Sequence, residues 1–494
     1  MLKQAFFKTI FFLFPFYLFS VAVLSQQKYW MEFDFGEIDS QNTQISQLQE
    51  SLKKMHGDKI KFHYQSKWHP VVSISIEEDL IEKLESHQQV RSIWLQNQLQ
   101  QLSLHSPTPI EYSYALEQMK AQYLTDSMGL SGNNIKIGVI DGGFMDANVE
   151  PSLKHLVEKD QIKFFQDYLL KGNKDPFYGK RISQDDHGTQ VLRMIVGSDH
   201  GTSIKYGMAE NAELYLARTD HGIRERRLEE DYWVAALELF YDMGIRLVNS
   251  SLGYTDSYDK RKENHSKKEV NGRSSMITKT AQVAAEKGML IVSAAGNDGH
   301  NKWEILSLPS DAKDVLTVGA VRYDDWSKIY YSSIGPEKLN YVKPDVACFA
   351  ANGTSFSAPV ITGLAACIWE YDTTLTNLEV INIIQKSSHL AENPNNFIGY
   401  GVPDSKKILS LLYQEKQKSI AKSTTATQDY IEIEIPANTE SLVLYHKKDH
   451  VNVIEQQSIK IKDGQTLVRI KKPEKAKYTS IVAQDQFNLE VEWK

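Results

Sequence analysis

Between positions 110 and 412, short apolar runs typical of buried strands alternate with longer segments in which the hydrophobic residues recur at helical spacing. The run Ile135–Ile140 is short, mostly apolar and followed by Asp141, as is typical of a strand buried in a parallel sheet. Residues Glu229–Met243 carry apolar side chains at helical spacing, and Gly244 marks the helix end. The run Val360–Trp369 is apolar on all sides, as in a buried helix. This alternation predicts an α/β fold, a parallel sheet flanked by helices.

The segment before this region has a different pattern. Met31, Phe33 and Phe35 alternate with acidic residues, which favours a half-buried strand. Ile45, Leu48, Leu52 and Met55 follow at helical spacing, and further strand-like and helical runs extend to about residue 96. The order β-α-β-β-α-β predicts a small α+β unit of the ferredoxin-like type.

The composition changes again after Leu412. Residues 414–428 are rich in Lys, Ser and Thr and predict a linker. Several short apolar or alternating runs follow, and Asp463–Gly464 is typical of a hairpin turn. Residues 429–494 are therefore predicted to form a small all-β domain.

The first 25 residues resemble an export signal. Lys3 and Lys8 precede an almost wholly apolar run from Ile10 to Leu24, and Val23 and Ser25 suit a signal-peptidase site. The apolar run is short for a membrane anchor. We therefore expect an exported protein, secreted or at the cell surface, with no membrane span once the signal is removed.

Composition and charge narrow the function classes. The chain has 494 residues, of which 41% are hydrophobic and 24% charged, as in ordinary globular proteins. The net charge of −7 gives no reason to expect a nucleic acid partner. The two cysteines, Cys348 and Cys367, are too few for a disulfide framework, and the histidines lack the paired spacing of a zinc site.

Three separated residues form a candidate catalytic set. Ser355 lies between a glycine turn at Gly353 and the apolar helix that Pro359 opens. Asp141 ends a predicted buried strand, and His187 opens another apolar helix. An isolated serine in this position is more often a helix cap, but a histidine base oriented by a carboxylate makes a serine hydroxyl nucleophilic. The order Asp, His, Ser is one known order of the serine triad.

Seven ordered blocks between about residues 110 and 412 resemble those of the subtilisin-like serine proteases. They are Gly138–Asp141, His187–Thr189, Val248–Gly253, Ser293–Gly299, Tyr331–Pro336, Lys343–Val346 and Gly353–Pro359. The resemblance implies a catalytic triad of Asp141, His187 and Ser355, and an oxyanion hole that includes Asn297. It also implies two substrate-binding segments. The first is Ser251, Leu252 and Gly253, and the second is Ala294, Ala295 and Gly296.

The family resemblance implies protein or peptide substrates and a propeptide that acts as an intramolecular chaperone and inhibitor. We therefore assign residues 1–25 to a signal peptide, 26–105 to a propeptide, 110–413 to the peptidase domain, 414–428 to a linker and 429–494 to the C-terminal β domain. Propeptide cleavage is expected between residues 96 and 114. No metal or cofactor is required for this chemistry, and structural calcium remains an alternative that the sequence does not reveal.

Three alternatives remain. The chain could be a catalytically silent relative used for binding or surface attachment, although a silent relative need not keep Asp141, His187, Asn297 and Ser355 together. Cys348 offers a competing nucleophile, but without the glycine-turn and helix setting of Ser355. The N-terminal unit could be a permanent domain rather than a propeptide.

Overall fold

The computed structural model describes residues 27–33, 41–77, 80–85, 87, 89–95, 109–179, 185–221, 225–415 and 419–494. The predicted signal peptide and most of the predicted cleavage stretch lie outside the described residues.

The N-terminal unit has the predicted order of elements. They are β1 (Gln27–Phe33), α1 (Gln41–His56), β2 (Ile60–Gln65), β3 (Val71–Ile76), α2 (Ile81–Glu85) and β4 (Val90–Leu95). The described strands form an antiparallel sheet in the order β2-β3-β1-β4. Ile45, Leu48 and Leu52 of α1 are buried in one core with residues of this sheet, which explains their helical spacing.

A parallel sheet forms the centre of the molecule. Its described strands are β5 (Lys136–Asp141), β6 (Ile162–Asp167), β9 (Glu213–Arg218), β10 (Leu247–Ser250), β11 (Leu290–Ala294), β12 (Leu316–Val321) and β13 (Val346–Phe349). They lie in the order β13-β12-β11-β10-β5-β9-β6, and every pair is parallel. A short antiparallel pair, β7 (Ser198–Asp199) and β8 (Ile204–Lys205), lies outside this sheet.

Helices cover both faces of the parallel sheet. They are α3 (Tyr114–Gln118), α4 (Gln122–Thr125), α5 (Lys154–Glu158), α6 (His187–Val196), α7 (Leu228–Asp242), α8 (Met276–Glu286), α9 (Ala358–Tyr371), α10 (Asn377–Ser387) and α11 (Ser405–Leu412). Val139 of β5 is buried in the core that contains α6 and α9, whereas its neighbour Ile140 is buried with α7 and α8. The strand is apolar along its length because both of its faces are covered.

The N-terminal unit docks against α7 and α8. Glu238 of α7 accepts hydrogen bonds from the Ser66 hydroxyl, at 2.5 Å, and from the Lys67 backbone N–H, at 3.0 Å; the Tyr64 hydroxyl also donates to it. Trp30 and Val71 share a small buried apolar cluster with Met276 of α8. Asp231 of α7 also accepts a hydrogen bond from the Ser73 hydroxyl, and Asp242 pairs with Lys67. Several acidic side chains of α7 and one apolar cluster thus hold the N-terminal unit in place.

The C-terminal domain is all-β, as predicted. Its strands are β14 (Ala421–Ala426), β15 (Tyr430–Glu434), β16 (Ser441–Lys447), β17 (Val453–Lys460), β18 (Leu467–Lys471), β19 (Tyr478–Ala483) and β20 (Phe487–Trp493). Among the described residues, one sheet has the order β14-β20-β19-β16-β17, and β15 pairs with β18 in a second sheet. The two sheets share one core.

Two sequence predictions in this region were wrong. The predicted linker 414–428 contains the edge strand β14, whose side chains are mostly exposed, so its polar composition resembled that of a linker. The turn at Asp463–Gly464 does not close a hairpin, because β17 pairs with β16 whereas β18 pairs with β15. The turn instead carries the chain from one sheet to the other.

The C-terminal domain shares a hydrophobic core with the peptidase region. Along β16, Leu444 is buried in the core of the β domain, whereas Val443 and Tyr445 are buried in the core that contains α6 and α9. Asn396 adds two hydrogen bonds across the interface: its N–H donates to the Val451 carbonyl at 3.2 Å, and its side-chain oxygen accepts from the Val453 N–H at 2.9 Å. The domain is therefore an integral part of the folded body.

Within the described ranges, no helix has both the length and the hydropathy that crossing a membrane requires.

We expect Tyr445→Ala to destabilise the peptidase region together with the β domain. Tyr445 is 1% exposed, and truncating a buried aromatic side chain costs about 3–5 kcal/mol. Urea unfolding followed separately through far-UV circular dichroism and tryptophan fluorescence should show one transition at lower denaturant. Tyr430→Ala is the control, because Tyr430 lies in the same domain but is 36% exposed, and it should change the midpoint of the unfolding transition little. A β-domain transition that moves while the peptidase transition stays would contradict the shared core.

Candidate active site

Asp141 is the last residue of β5, at the carboxyl edge of the parallel sheet, and is fully buried. Its Oδ1 accepts a hydrogen bond from the Gly142 N–H at 2.7 Å and lies 2.7 Å from Nδ1 of His187. Among the described residues, its Oδ2 has no hydrogen-bond partner. A carboxylate held in this way fixes the imidazole tautomer with the proton on Nδ1, which leaves Nε2 able to accept a proton.

His187 is the first residue of α6, and its side chain is 10% exposed. Burial disfavours the charged imidazole, but the charge and hydrogen bond of Asp141, with the charges of Asp186 and Asp220, outweigh burial and raise the pKa of His187. The imidazole ring lies 5.6 Å from the ring of Phe356, which directly follows Ser355. The first turn of α6 thus meets the turn that carries the serine.

Ser355 lies in a single 3-10 turn, Thr354–Phe356, immediately before α9. Gly353 precedes the turn with φ of +143°, and a Cβ atom there would lie 3.1 Å from Nδ2 of Asn297. The sharp turn and close approach explain the glycine. The Ser355 hydroxyl donates to the Ser251 carbonyl at 3.2 Å, and the Ser251 hydroxyl donates to the Ser355 carbonyl at 2.9 Å.

Asn297 is oriented by the residue before the serine. Its Oδ1 accepts hydrogen bonds from the Thr354 N–H at 2.8 Å and from the Thr354 hydroxyl at 3.0 Å. With the oxygen held by two donors, the Nδ2 group faces the other way as a donor. This side chain and the backbone N–H of Ser355 in the serine turn suit an oxyanion that forms beside Ser355.

The two predicted substrate-binding segments flank the serine turn. Ser251, Leu252 and Gly253 follow β10, while Ala294 ends β11 and is followed by Ala295 and Gly296. The first segment bonds to Ser355 through Ser251, and the Gly296 N–H donates to the Thr354 hydroxyl at 3.1 Å. Leu252 is 1% exposed and lies in the core that contains α7 and α8.

Arg218 is a residue of this site that sequence reasoning missed. It ends β9 directly opposite Asp141 in the parallel register and is 7% exposed. Its Nε donates to the Gly142 carbonyl at 2.9 Å, and its Nη2 lies 2.6 Å from Oδ1 of Asp185. Its Nη1 lies 3.6 Å from Oδ2 of Asp167. The arginine therefore joins the turn after Asp141 to the segment that leads into His187.

Asp220 was also missed. It lies two residues beyond β9 and is 3% exposed. Its charge contributes to the raised pKa of His187, and the charge of Asp141 contributes to the raised pKa of Asp220. Neither residue type carries a signal of its own in the sequence. The available signal is positional: Arg218 ends a buried strand and Asp220 follows that strand, at the edge where Asp141 lies.

Cys348 lies on β13, fully buried, with its sulfur 3.6 Å from the Ser357 carbonyl oxygen. Burial raises the pKa of the Cys348 thiol far above its ordinary value, so the reactive thiolate is not formed at neutral pH. The structure therefore contradicts a cysteine nucleophile. In the described part of the chain, no three His, Cys, Asp or Glu side chains are grouped as metal ligands.

Comparison with known proteins identifies the class. Residues 132–401 match the Subtilase family. This match covers more than half of the 494 residues, and the chain therefore belongs to the subtilase family of serine proteases.

Individual relatives agree with this assignment. Subtilisin DY from Bacillus licheniformis is 25% identical over 298 residues, which cover 58% of this chain and 94% of that protein. An alkaline protease from Alkalihalobacillus alcalophilus is 24% identical over 285 residues, 56% of this chain and 64% of that protein. The chain is thus a serine-type endopeptidase.

Solved structures support the fold. The epidermin leader peptide processing serine protease of Staphylococcus aureus aligns with a TM-score of 0.55, covering 80% of this chain and all of that one at 17% identity. A variant of that protease aligns with a TM-score of 0.57 over 78% of this chain. At this identity the likeness establishes the shared architecture alone.

We expect Arg218→Gln to lower the free energy of unfolding by about 3–5 kcal/mol, because it removes the buried cation that pairs with Asp185 and Asp167. Arg322→Gln is the matched control, since the Arg322 side chain is 55% exposed and pairs with Asp324 at the surface, where a pair contributes about 0–1 kcal/mol. Urea unfolding of both variants measures the difference. Equal losses would show that Arg218 does not hold the two catalytic segments together.

Proposed function

We propose that this chain is an exported endopeptidase that cleaves peptide bonds through Asp141, His187 and Ser355 and an acyl-enzyme intermediate. The observation that carries the proposal is the 2.7 Å contact between Asp141 and Nδ1 of His187, at the helix end that meets the Ser355 turn. A buried carboxylate, an oriented imidazole and a serine at a glycine turn together form the arrangement that acyl transfer requires.

The proposed reaction has two halves. The Ser355 hydroxyl oxygen attacks the substrate carbonyl carbon while Nε2 of His187 takes the hydroxyl proton. Asn297 Nδ2 and the Ser355 N–H donate to the oxyanion that forms. His187 then gives its proton to the departing amine, which leaves an ester on Ser355. Water repeats the sequence on this ester, releases the acid and restores the serine.

The hydroxyl must change direction for the first step. In the free protein it donates to the Ser251 carbonyl, and a rotation about the Ser355 Cα–Cβ bond directs it toward His187. Catalytic hydrogen bonds often form only when substrate is bound. The same hydrogen bond favours the alternative, a catalytically silent binding or attachment protein in which Ser355 stays locked on Ser251.

The N-terminal unit is proposed to be a propeptide that chaperones and inhibits the enzyme. Support comes from its docking on α7 through Glu238 and on α8 through Met276. Burial raises the pKa of Glu238, and the hydrogen bonds from Ser66 and Tyr64 oppose this shift. These donors all belong to the N-terminal unit, so its departure would expose α7. Peptide substrates, self-processing between residues 96 and 114, and secretion belong to the same proposal.

We expect the expressed full chain to be cut between residues 96 and 114 and to react with a fluorophosphonate, because both processes need the Ser355 nucleophile. Ser355→Ala should stay whole and unlabelled by intact mass and in-gel fluorescence. Ser357→Ala, two residues along in the same buried segment, is the control and should still be cut and labelled. No label in the unmodified protein would favour the silent alternative, whereas labelling of Ser355→Ala would show that a residue other than Ser355 reacts.

The pH profile should reflect the environment of His187. The neutral imidazole is the base, so kcat/KM should rise with pH through the raised pKa of His187, with a midpoint above 6.5. Asp186 is exposed, and its charge contributes to that shift. Asp186→Asn should therefore move the midpoint to lower pH, whereas Asp463→Asn, at an exposed turn in the β domain, should not. A midpoint unchanged or raised in Asp186→Asn would argue against His187 as the titrating base.

A further inference from the structure

A cleft of about 910 Å³ lies between the peptidase region and the C-terminal β domain. One wall comes from the segments that follow β11 and β12, and the other comes from the start of β16 and from β17. This volume is near the upper end of the range for ligand sites in proteins, so the cleft can hold part of a bound chain.

One end of the cleft adjoins the proposed oxyanion site. Gly299 lines the cleft and lies two residues beyond Asn297, so their Cα atoms are at most about 7.6 Å apart. His300 and Tyr330 line it as well, with their rings 5.4 Å apart, and Tyr330 is 61% exposed. These residues follow β11 and β12, whereas Ser251–Gly253 follow β10 on the other side of β11. The cleft thus lies on the side of Asn297 away from that substrate-binding segment.

The strand β17 presents an open edge to the cleft, because it is the outermost strand of the described sheet. The Ile461 N–H donates to the Glu440 carbonyl at 2.9 Å. Since hydrogen-bonded pairs alternate in an antiparallel ladder, Ile459 and Gln457 then make the hydrogen bonds to β16. The residues between them turn their backbone N–H and C=O groups outward, and they line the cleft: Gln456, Ser458 and Lys460. Such an edge can accept a further extended chain.

Lys328 places an ammonium group in the cleft. Its Nζ donates to the carbonyl oxygens of Ile329 at 3.2 Å and Ser332 at 3.1 Å, and it lies 5.4 Å from the centre of the Phe397 ring. In the described part of the chain it forms no ion pair, and Glu304 acts on its charge from beyond that distance. An ammonium has three N–H donors, so one remains for a ligand.

The other charged side chains that line the cleft are paired or exposed. Arg322 forms ion pairs with Asp324 at 2.9 Å and with Asp325 at 3.7 Å. Glu440 and Lys460 are exposed to solvent. The half-buried ammonium is therefore the charge that a ligand inside the cleft meets.

We propose that the cleft is an exosite for unfolded protein substrates, in which the chain beyond the cut pairs with β17 and a glutamate or aspartate side chain binds Lys328. Both contacts suit one chain, because Oε1 of Gln456 on β17 accepts a hydrogen bond from the Lys328 N–H at 2.9 Å. An extended chain advances about 3.3 Å per residue, so six residues cover about 20 Å from the cut. This inference rests on the proposed peptidase function and adds a class of substrate segment to it.

The test gives the full chain quenched fluorescent peptides that share one core, taken from a cut site mapped by mass spectrometry in unfolded casein. The core is extended by eight serine and threonine residues before or after the cut, with one glutamate or glutamine moved through the extension. We expect kcat/KM to rise about tenfold for extension on one side and to stay level for the other. Glutamate should be favoured over glutamine about tenfold at one position, as for a hydrogen bond between charged groups.

Lys328→Met removes the ammonium and keeps an apolar stem, so the ratio of the glutamate to the glutamine rate should fall to about one. Lys422→Met is the matched control, because Lys422 is exposed on β14 at the opposite edge of the same sheet, and it should retain the ratio.

A second pair of variants tests the strand edge. Ser458→Pro removes one outward N–H of β17 and should lose the gain from extension, whereas Ser458→Ala keeps that N–H and should retain the gain. Fluorophosphonate labelling and thermal unfolding show whether each variant is folded, and Lys328→Met decides the question if the proline variant is not.

Three results would overturn the exosite. Extension could give no gain on either side, or Lys328→Met could keep the glutamate preference. Light scattering could also show a dimer that Ser458→Pro dissociates, which would assign the edge to a second copy of the chain. Failure of the proposed function looks different, because the unmodified protein would then leave casein whole and take no fluorophosphonate label.

Discussion

The site depends on one geometric constraint: parallel strands end at a common edge. Asp141 and Arg218 end neighbouring strands in matched register, and Ser251 follows the strand on the other side of Asp141. Because the sheet fixes these three positions, the segments that lead to His187 and Ser355 need only reach the same edge. The 2.7 Å contact between Asp141 and His187 is thus set largely by the backbone.

Much of this fold could be read from the sequence because buried parallel strands and glycine turns leave strong local signals. The strand ending at Asp141 is apolar since both faces are covered, and Gly353 is required by a positive φ and a close neighbour. The residues placed by the resemblance, from Asp141 to Ser355, lie around one site. Their catalytic roles remain predictions.

Features that depend on register or on distant partners could not be read in this way. Arg218 becomes informative only when β9 is known to lie beside β5, and the polar strand β14 is stabilised by its pairing with β20 rather than by its own composition. His265 lies in a strongly charged stretch typical of a surface loop, yet it is 5% exposed. It is buried because its Nε2 atom pairs with the buried carboxylate of Glu230. Local composition does not record such partners.

The shared core of the β domain has a consequence for the order of events in the cell. Val443 and Tyr445 complete a hydrophobic core whose other residues come from segments as early as α3. A ribosome makes the chain from its amino end, so this core stays open until the strands of the β domain have emerged. The catalytic residues are all synthesised before then, and the core of the peptidase region is therefore completed by segments made after them.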